Sequence, residues 1–131
     1  RSDVSVGMSL NVALSEYVRS QAIGSHIQVH LSLQEASERL SIDVEAELLR
    51  IVQEALGNAR KHAHPENIWI SSQIRPPLFD ITVEDDGQGL GQGRDDSYGL
   101  KIMSERAERI GGALEVGTRD TGGTIVRVSR A

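Results

Sequence analysis

The chain has 131 residues, of which 38% are hydrophobic and 25% are charged, and its formal net charge is −5 at pH 7. This size suits a single domain with one core, and the acidic balance argues against direct contact with nucleic acid, whose phosphates are bound by basic surfaces. The lack of cysteine excludes disulfides and thiolate chemistry, and the lack of a long apolar run or a signal peptide predicts no membrane contact by this domain.

The first predicted elements are a helix and a strand. Apolar residues between positions 8 and 18 recur at roughly helical spacing, which predicts a helix that ends near Gly24. In residues 26–33, apolar and polar residues alternate strictly, as in a half-buried strand. His26 and His30 fall on the polar face of that strand, so we expect them on the surface rather than in a ligand site.

Residues 47–63 are predicted to form the central helix of the domain. One stripe of this segment is apolar at the i, i+3, i+4, i+7 spacing of a helix that faces a core: Leu48, Ile51, Val52, Ala55, Leu56 and Ala59. On a neighbouring face, Glu54 and Asn58 stand four residues apart, with Lys61 and His62 one turn further on. These four side chains could meet one ligand, or they could be a solvated flank of the helix.

The ends and the middle of this helix carry further signals. Acidic residues at positions 43, 45 and 47 suit the positive end of the helix dipole, and His64 with Pro65 stops the helix. Gly57 costs about 1 kcal/mol relative to alanine inside a helix. Either another group approaches the backbone closely at Gly57, or the glycine is merely tolerated.

Two strands are predicted next, at residues 67–74 and 78–85. The second strand has one apolar face, formed by Phe79, Ile81 and Val83. Asp85 continues that face, whereas Asp86 points the other way. The Asp85 carboxylate is therefore expected to face the interior at the end of a core strand, where a buried carboxylate needs a partner.

A glycine-rich passage at residues 87–93 leads into a third predicted helix at residues 98–110. Two last strands are predicted at residues 113–118 and 124–129. This order of elements predicts an α/β fold: a two-layer sandwich with about three helices on one face of a mixed, mainly antiparallel sheet of about five strands.

Several of these features are typical of a nucleotide site. Glycines after a strand let a ligand approach the backbone, and a helix that opens at Gly99 offers free N–H groups to phosphates. Asn58 and Glu54 supply a neutral and a charged oxygen, which suits Mg2+ bound together with phosphates. An inward Asp85 can accept a hydrogen bond from an exocyclic amine and so select adenine over guanine.

Four segments resemble the conserved boxes of bacterial sensor histidine kinases. Residues 54–63 (EALGNARKHA) resemble the N box, residues 85–89 (DDGQG) the G1 box, residues 98–107 (YGLKIMSERA) the G2 segment and residues 122–124 (GGT) the G3 element. The match spans about residue 10 to the end, and the N box together with the G2 segment resembles the nitrate-sensor-type subfamily. It implies the Bergerat-type ATP-binding sandwich (the GHKL group) shared by histidine kinases, Hsp90, type II topoisomerases and mismatch-repair ATPases.

The resemblance also implies roles on the metal and phosphate side of the site. Asn58 would hold Mg2+, and Glu54 would position or activate the reacting groups. Lys61 or His62 would lie near the phosphates, although either could instead be a basic residue that the helix dipole favours. Two backbone positions would meet the phosphates through their amides: Gly99 and Leu100.

On the base side, the resemblance implies that Asp85 binds the adenine amino group. Gly87 and Gly89 would admit the base and the ribose, and Thr124 would lie behind Asp85. The chain departs from many histidine kinases in having only Tyr98-Gly99-Leu100 at the G2 position and no phenylalanine-bearing F box. Its loop at residues 90–97 is short, so we expect a small ATP lid.

The activity implied is that of a protein-histidine kinase, whose catalytic domain binds Mg-ATP and donates the γ-phosphate to a histidine on a separate dimerisation domain. Its downstream partner would be a response regulator with a helix-turn-helix output domain. The start at Arg1 without methionine suggests that residues 1–131 are a single domain excised from a longer protein. The domain would be cytoplasmic, and the parent protein could be anchored in the membrane.

No phosphoacceptor segment is recognisable, and no histidine of the chain lies in a matching context: His26, His30, His62 and His64. We therefore expect this fragment to bind ATP without autophosphorylation. Two other functions stay open: a serine kinase of the anti-sigma-factor type, and a nucleotide-gated interaction module without catalysis. The intact trio of Glu54, Asn58 and Asp85 argues against the second of these.

Overall fold

The computed structural model describes residues 3–22, 24–34, 37–89 and 97–131. In chain order its elements are α1 (Leu10–Ala22), β1 (Gln28–Leu33), α2 (Ile42–Asn58), a π-helical turn (Ala59–Ala63), β2 (Asn67–Arg75), β3 (Leu78–Asp85), α3 (Ser97–Arg109), β4 (Ala113–Thr118) and β5 (Thr124–Arg130). Except for Ser97, the predicted lid lies outside the described residues. Within the described ranges, no helix combines the length and the apolar character needed to cross a membrane.

The five strands form one sheet in the order β1-β2-β3-β5-β4. β1 pairs with β2 in parallel, and the other three pairings are antiparallel. The helices cover one face of this sheet, which confirms the predicted two-layer α/β sandwich with a mixed, mainly antiparallel sheet. In this order β3 is the central strand, so its end is flanked by both β2 and β5.

The core lies between the sheet and the helices and is almost entirely aliphatic. α2 and the first residue of the π-helical turn contribute the whole predicted stripe, all of it buried: Leu48, Ile51, Val52, Ala55, Leu56 and Ala59. Met103 and Ala107 of α3 and Leu14 of α1 pack into the same cluster. Burial of a large aliphatic side chain contributes about 1.5–3 kcal/mol, so this stripe fixes α2 across the sheet.

The start of α2 also anchors the segment that precedes α1. Ser41 caps the helix, and its hydroxyl accepts a hydrogen bond from the Val44 amide (3.3 Å). Glu45, in the first turn, is buried and forms an ion pair with Arg39, whose guanidinium also donates to the Val6 carbonyl (2.9 Å). Loss of Arg39 would leave the buried Glu45 charge uncompensated, so this contact ties two distant segments together.

The end of α2 differs from the predicted single helix over residues 47–63. The regular helix ends at Asn58, and the Ala59–Ala63 segment forms a wider π-helical turn that closes at His64 in a left-handed conformation (φ 50°). The hydrogen bonds of a π-helical turn span five residues, whereas those of an α-helix span four. The turn therefore interrupts the regular helix between Asn58 and His64.

Two side chains show how the edge strand and the helical layer are arranged. The alternating pattern of residues 26–33 places Leu31 on the apolar face of β1, but Leu31 is 38% exposed, because β1 is the edge strand and the helices do not fully cover it. On α3, the guanidinium Nη1 of Arg106 lies 2.6 Å from Glu47 Oε1 of α2. This ion pair joins α2 and α3 in the helical layer.

Candidate functional site

The inner face of β3 ends in a buried carboxylate. Asp85 is 3% exposed, and its Oδ1 accepts a hydrogen bond from the Gly87 amide (3.0 Å). Thr124 of β5 is its register partner and is also buried. The structure therefore places the carboxylate of Asp85 beside a threonine at the end of the sheet. It confirms the prediction that Asp85 faces the interior.

Asp86 faces the other way and has a structural role. Its Oδ1 accepts hydrogen bonds from the backbone amides of Glu66 and Asn67 (both 2.9 Å), and its Oδ2 accepts one from Asn67 Nδ2 (3.0 Å). Burial raises the pKa of Asp86, but these hydrogen bonds outweigh it and hold the pKa below its usual range. The ionised carboxylate thus ties the end of β3 to the start of β2.

Gly87 is required by the end of the central helix. A Cβ at Gly87 would lie 2.1 Å from the carbonyl oxygen of Ala63, which also accepts a hydrogen bond from the Gln88 amide (2.8 Å). The close packing of Gly87 against the Ala63 carbonyl is therefore enough to explain why this position has no side chain. Gly89 is also buried, but a Cβ there would be 3.6 Å from the Gly123 carbonyl, which is ordinary contact.

Gly123 lies against Asp85 from the β4–β5 side. It has a φ of +102°, and a Cβ there would lie 1.9 Å from the Asp85 carbonyl oxygen. Any side chain at Gly123 would therefore combine backbone strain with a clash against a strand. Asp85 is thus held in place by backbone on both sides, by the Gly87 amide and by the packing of Gly123.

The polar face of α2 meets the start of α3. A Cβ at Gly99 would lie 2.5 Å from Asn58 Nδ2 and 2.7 Å from Glu54 Oε2, so these three residues are in close contact. Asn58 is 7% exposed, and among the described residues its Nδ2 has no hydrogen-bond partner. A buried amide with an unused donor is rare in folded proteins and often marks a ligand site.

These groups fit a cation that is bound jointly with an anion. Asn58 and Glu54 offer the oxygen ligands that Mg2+ prefers, and the first backbone amides of α3 lie beside them. The N-terminus of a helix favours negative charge through its free N–H groups and its dipole. The contact of Gly99 with both side chains would bring a cation at Asn58 close to an anion at this helix end.

The structure does not connect Lys61 and His62 to this cluster. Both lie in the π-helical turn, Lys61 exposed and His62 half-buried. Leu100 packs its side chain against the core, so only its amide could face a ligand. The predicted roles of these three residues stay predictions.

Sequence reasoning missed a tyrosine on α1. Tyr17 appears in the sequence only as one member of an apolar stripe, but its phenol lies within electrostatic range of Glu54 and Arg60. Burial is the largest influence on its pKa and raises it; Arg60 opposes this effect and Glu54 adds to it. Because α1 and α2 pack through non-local contacts, no local pattern could have revealed this proximity.

The sheet order, the helical layer and the two clusters around Asp85 and Asn58 together define an ATP-binding sandwich domain of the histidine kinase type. The chain belongs to the family described as histidine kinase-, DNA gyrase B-, and HSP90-like ATPases, whose model matches residues 43–130. The resemblance inferred from the sequence boxes is confirmed.

Two relatives are sensor proteins of bacterial signalling. It is 39% identical to the nitrate/nitrite sensor protein NarQ of Escherichia coli over 93 residues, which cover 69% of this chain and 16% of that protein. It is 33% identical to a NarQ homolog of Haemophilus influenzae over 124 residues, covering 92% of this chain and 22% of the relative. The chain thus spans less than a quarter of either relative.

A solved structure agrees on the fold. The histidine kinase domain of the blue-light activated kinase EL346 of Erythrobacter litoralis superposes with a TM-score of 0.76 at 23% identity. The superposition covers 98% of this chain and 63% of that one. At this identity the similarity supports the architecture alone.

Proposed function

We propose that this domain binds ATP together with Mg2+ and presents the γ-phosphate to a histidine on a separate dimerisation domain, as part of two-component signal transduction. The observation that carries the proposal is the contact of Glu54 and Asn58 with Gly99 at the start of α3. Asp85 also supports the proposal, because it is a buried carboxylate within residues 43–130, which match the ATPase family.

Asp85 would recognise the adenine base. Its buried carboxylate can accept a hydrogen bond from the exocyclic amine of adenine, which guanine lacks at that position. Thr124 would lie beside the base, and Gly87 and Gly89 would allow its close approach. The hydrogen bond from the Gly87 amide to Oδ1 orients the carboxylate.

Asn58, with Glu54 beside it, would hold Mg2+ together with the phosphates. When bound, the cation neutralises phosphate charge, which is a large part of catalysis in phosphoryl transfer. Glu54 would orient the reacting groups, and the amides of Gly99 and Leu100 would donate to phosphate oxygens.

Lys61 and His62 are weaker candidates for a role near the phosphates. Both lie in the π-helical turn, beyond Asn58 along the chain. A basic side chain there would attract phosphate through space without a direct contact. We keep both as candidate catalytic groups, to be separated by single substitutions.

The partners follow from the same activity. The acceptor histidine would be carried by a dimerisation domain, and the phosphoryl group would pass on to a response regulator with a helix-turn-helix output domain. We propose a cytoplasmic location for the domain. Incubation with labelled ATP should leave this chain itself unlabelled, because none of its histidines lies in an acceptor context.

Calorimetric titration of ATP in the presence of Mg2+ tests the proposal. We expect saturable binding by the wild type and none by Asp85→Asn, which replaces an acceptor oxygen with a donor amide. Asp80→Asn is the matched control, since it changes another β3 carboxylate that lies on the outer face and pairs with Arg127. This control should bind ATP normally.

A second titration addresses the metal. Asn58→Ala should weaken binding with Mg2+ and have little effect when the metal is chelated. Failure of the folded wild type to bind ATP would contradict the proposal and favour an interaction module. Binding that is indifferent to Asp85→Asn would mean that the base does not lie at Asp85.

A further inference from the structure

The turn between β4 and β5 is closed by one arginine. The Arg119 amide donates to the Gly123 carbonyl and the Gly122 amide donates to the Arg119 carbonyl, both at 3.1 Å. The Arg119 guanidinium donates from Nη1 to the Gly122 carbonyl at 3.2 Å. Both glycines have positive φ, so the turn depends on a conformation that these contacts hold closed.

The same guanidinium fastens this turn to the outer face of the sheet. It lies 4.5 Å from the centre of the Trp69 ring on β2, within cation–π range, and its Nε is 3.2 Å from Glu84 Oε1 on β3. His30 of β1 stacks on Trp69 with ring centres 5.6 Å apart. The side chain of Arg119 is only 19% exposed, so these contacts are partly shielded from solvent.

These contacts lie next to Asp85, the residue proposed to bind the base. Trp69 and Glu84 are register partners, and Glu84 immediately precedes Asp85 in β3. Gly123 packs against the Asp85 carbonyl from the turn that Arg119 closes. Arg119 therefore fixes the turn relative to β2 and β3 at the point where Asp85 ends the central strand.

We propose that Arg119 is a positioning residue for nucleotide recognition: it holds Gly123 against Asp85 and thereby sets the selectivity of the site for adenine. The inference rests on the proposed function, because Asp85 is the group that would read the base. Arg119 itself would not touch the nucleotide. It lies on the outer face of the sheet, whereas Asp85 faces the interior.

The expected effect is moderate and specific to the base. Partly exposed cation–π and ion-pair contacts are individually weak, so loss of the guanidinium should lower ATP affinity about fivefold to tenfold. Inosine triphosphate lacks the exocyclic amine, so its affinity should change much less. The preference for ATP over inosine triphosphate should therefore fall by about the same factor.

The experiment compares Arg119→Met, Arg119→Lys and the control Arg127→Met by calorimetry with both nucleotides. Arg127 also lies on the outer face and pairs with a β3 carboxylate, Asp80 (2.6 Å), but it lies within β5, four residues beyond the Gly123 that packs on Asp85. Arg119→Lys keeps a cation near Trp69 and Glu84 and should restore most of the preference. Arg127→Met should match the wild type.

A readout without nucleotide keeps the inference testable if the proposed function fails. The Gly87 amide donates to Asp85 Oδ1, so its NMR chemical shift reports the position of that carboxylate in the free protein. We expect this resonance to move in Arg119→Met and to stay in place in Arg127→Met. Lack of ATP binding by the wild type would count against the proposed function alone.

Two results would overturn the role of Arg119. One is an Arg119→Met variant that keeps both the wild-type Gly87 resonance and, where ATP binds, the wild-type preference for ATP. The other is an equal loss of the preference for ATP in Arg119→Met and Arg127→Met. That result would mean that any lost ion pair on the outer face of the sheet has the same effect. Thermal unfolding of all three variants checks that each is folded at the temperature of the titrations.

Discussion

The two ends of the candidate site are built in different ways. At the Asp85 end, glycines pack against backbone: Gly87 against the Ala63 carbonyl and Gly123 against the Asp85 carbonyl. At the Asn58 end, Gly99 packs against side-chain atoms of Asn58 and Glu54. Backbone in a strand or helix end cannot yield, whereas a side chain can change its rotamer.

The two ends are therefore expected to contribute differently to the stability of the fold and to ligand binding. The Asp85 end is complete within the protein, since the carboxylate already accepts a hydrogen bond from the Gly87 amide. At the other end, the Asn58 amide has a donor without a partner among the described residues. Substitution of the glycines at the Asp85 end should therefore act mainly on stability, and substitution of Gly99 at the Asn58 end should act mainly on ligand binding.

The largest expected effect is that of Gly123→Ala. The new Cβ would combine a φ of +102° with a contact of 1.9 Å to the Asp85 carbonyl oxygen, so the turn must leave the sheet. We expect a loss of at least about 3 kcal/mol in the free energy of unfolding, measured by urea denaturation. Gly117→Ala is the control, because no described atom lies within 4 Å of its Cβ position. Equal stability of the two variants would contradict the packing argument.

The next effect depends on pH. Because the pKa of Asp86 is lowered in the folded protein, its stabilising contribution is complete above the ordinary aspartate pKa and is lost as the pH falls through the folded value. Asp86→Asn should cost about 2 kcal/mol at pH 7, and the difference from wild type should shrink below about pH 4. Urea denaturation from pH 7 to pH 2 measures this.

Asp80→Asn provides the comparison for Asp86→Asn. Its partner Arg127 is half exposed, and exposed ion pairs are weakened by solvent, so Asp80→Asn should cost much less stability than Asp86→Asn. A pH-independent gap between Asp86→Asn and the wild type would show that the carboxylate charge has no part in tying β2 to β3.

Most of this architecture could be predicted from periodicity. The bounds of β3 agree with the sequence prediction, and the parity of Asp85 and Asp86 follows from the two-residue repeat of a strand. The apolar stripe of α2 likewise identified the core helix. These features depend on local geometry, which the order of residue types along the chain records directly.

What could not be predicted depends on contacts between distant segments. The π-helical turn has the same composition as a helix end, so nothing in the sequence distinguishes it. The reason for Gly87 lies 24 residues upstream, in the Ala63 carbonyl. Arg119 stands in a turn that reads as ordinary, and only the fold brings it onto Trp69.

Gly99→Ala is the corresponding test at the Asn58 end. Its Cβ would displace the Asn58 amide and the Glu54 carboxylate, both of which can move. We expect ATP affinity in the presence of Mg2+ to fall at least about tenfold, while the free energy of unfolding changes by less than about 1 kcal/mol. Paired calorimetry and urea denaturation check this. A variant that unfolds as Gly123→Ala does, or that binds ATP normally, would erase the distinction between the two ends.

The smallest expected effect is a gain in stability at Gly57, one residue before Asn58. No described atom lies within 4 Å of its Cβ position, and its backbone is helical, so alanine can replace it without strain. Gly57→Ala should raise the free energy of unfolding by about 0.5–1 kcal/mol, mainly because alanine lowers the conformational entropy of the unfolded chain.

ATP titration of the same Gly57→Ala variant resolves the question that the sequence left open. Unchanged affinity with higher stability would mean that the glycine is merely tolerated in α2. Higher stability with weaker binding would instead mean that a ligand group comes within contact of the helix backbone beside Asn58. The Asn58 end would then have a steric requirement of its own, met only in the complex, whereas the requirements of Gly87 and Gly123 are met within the protein alone.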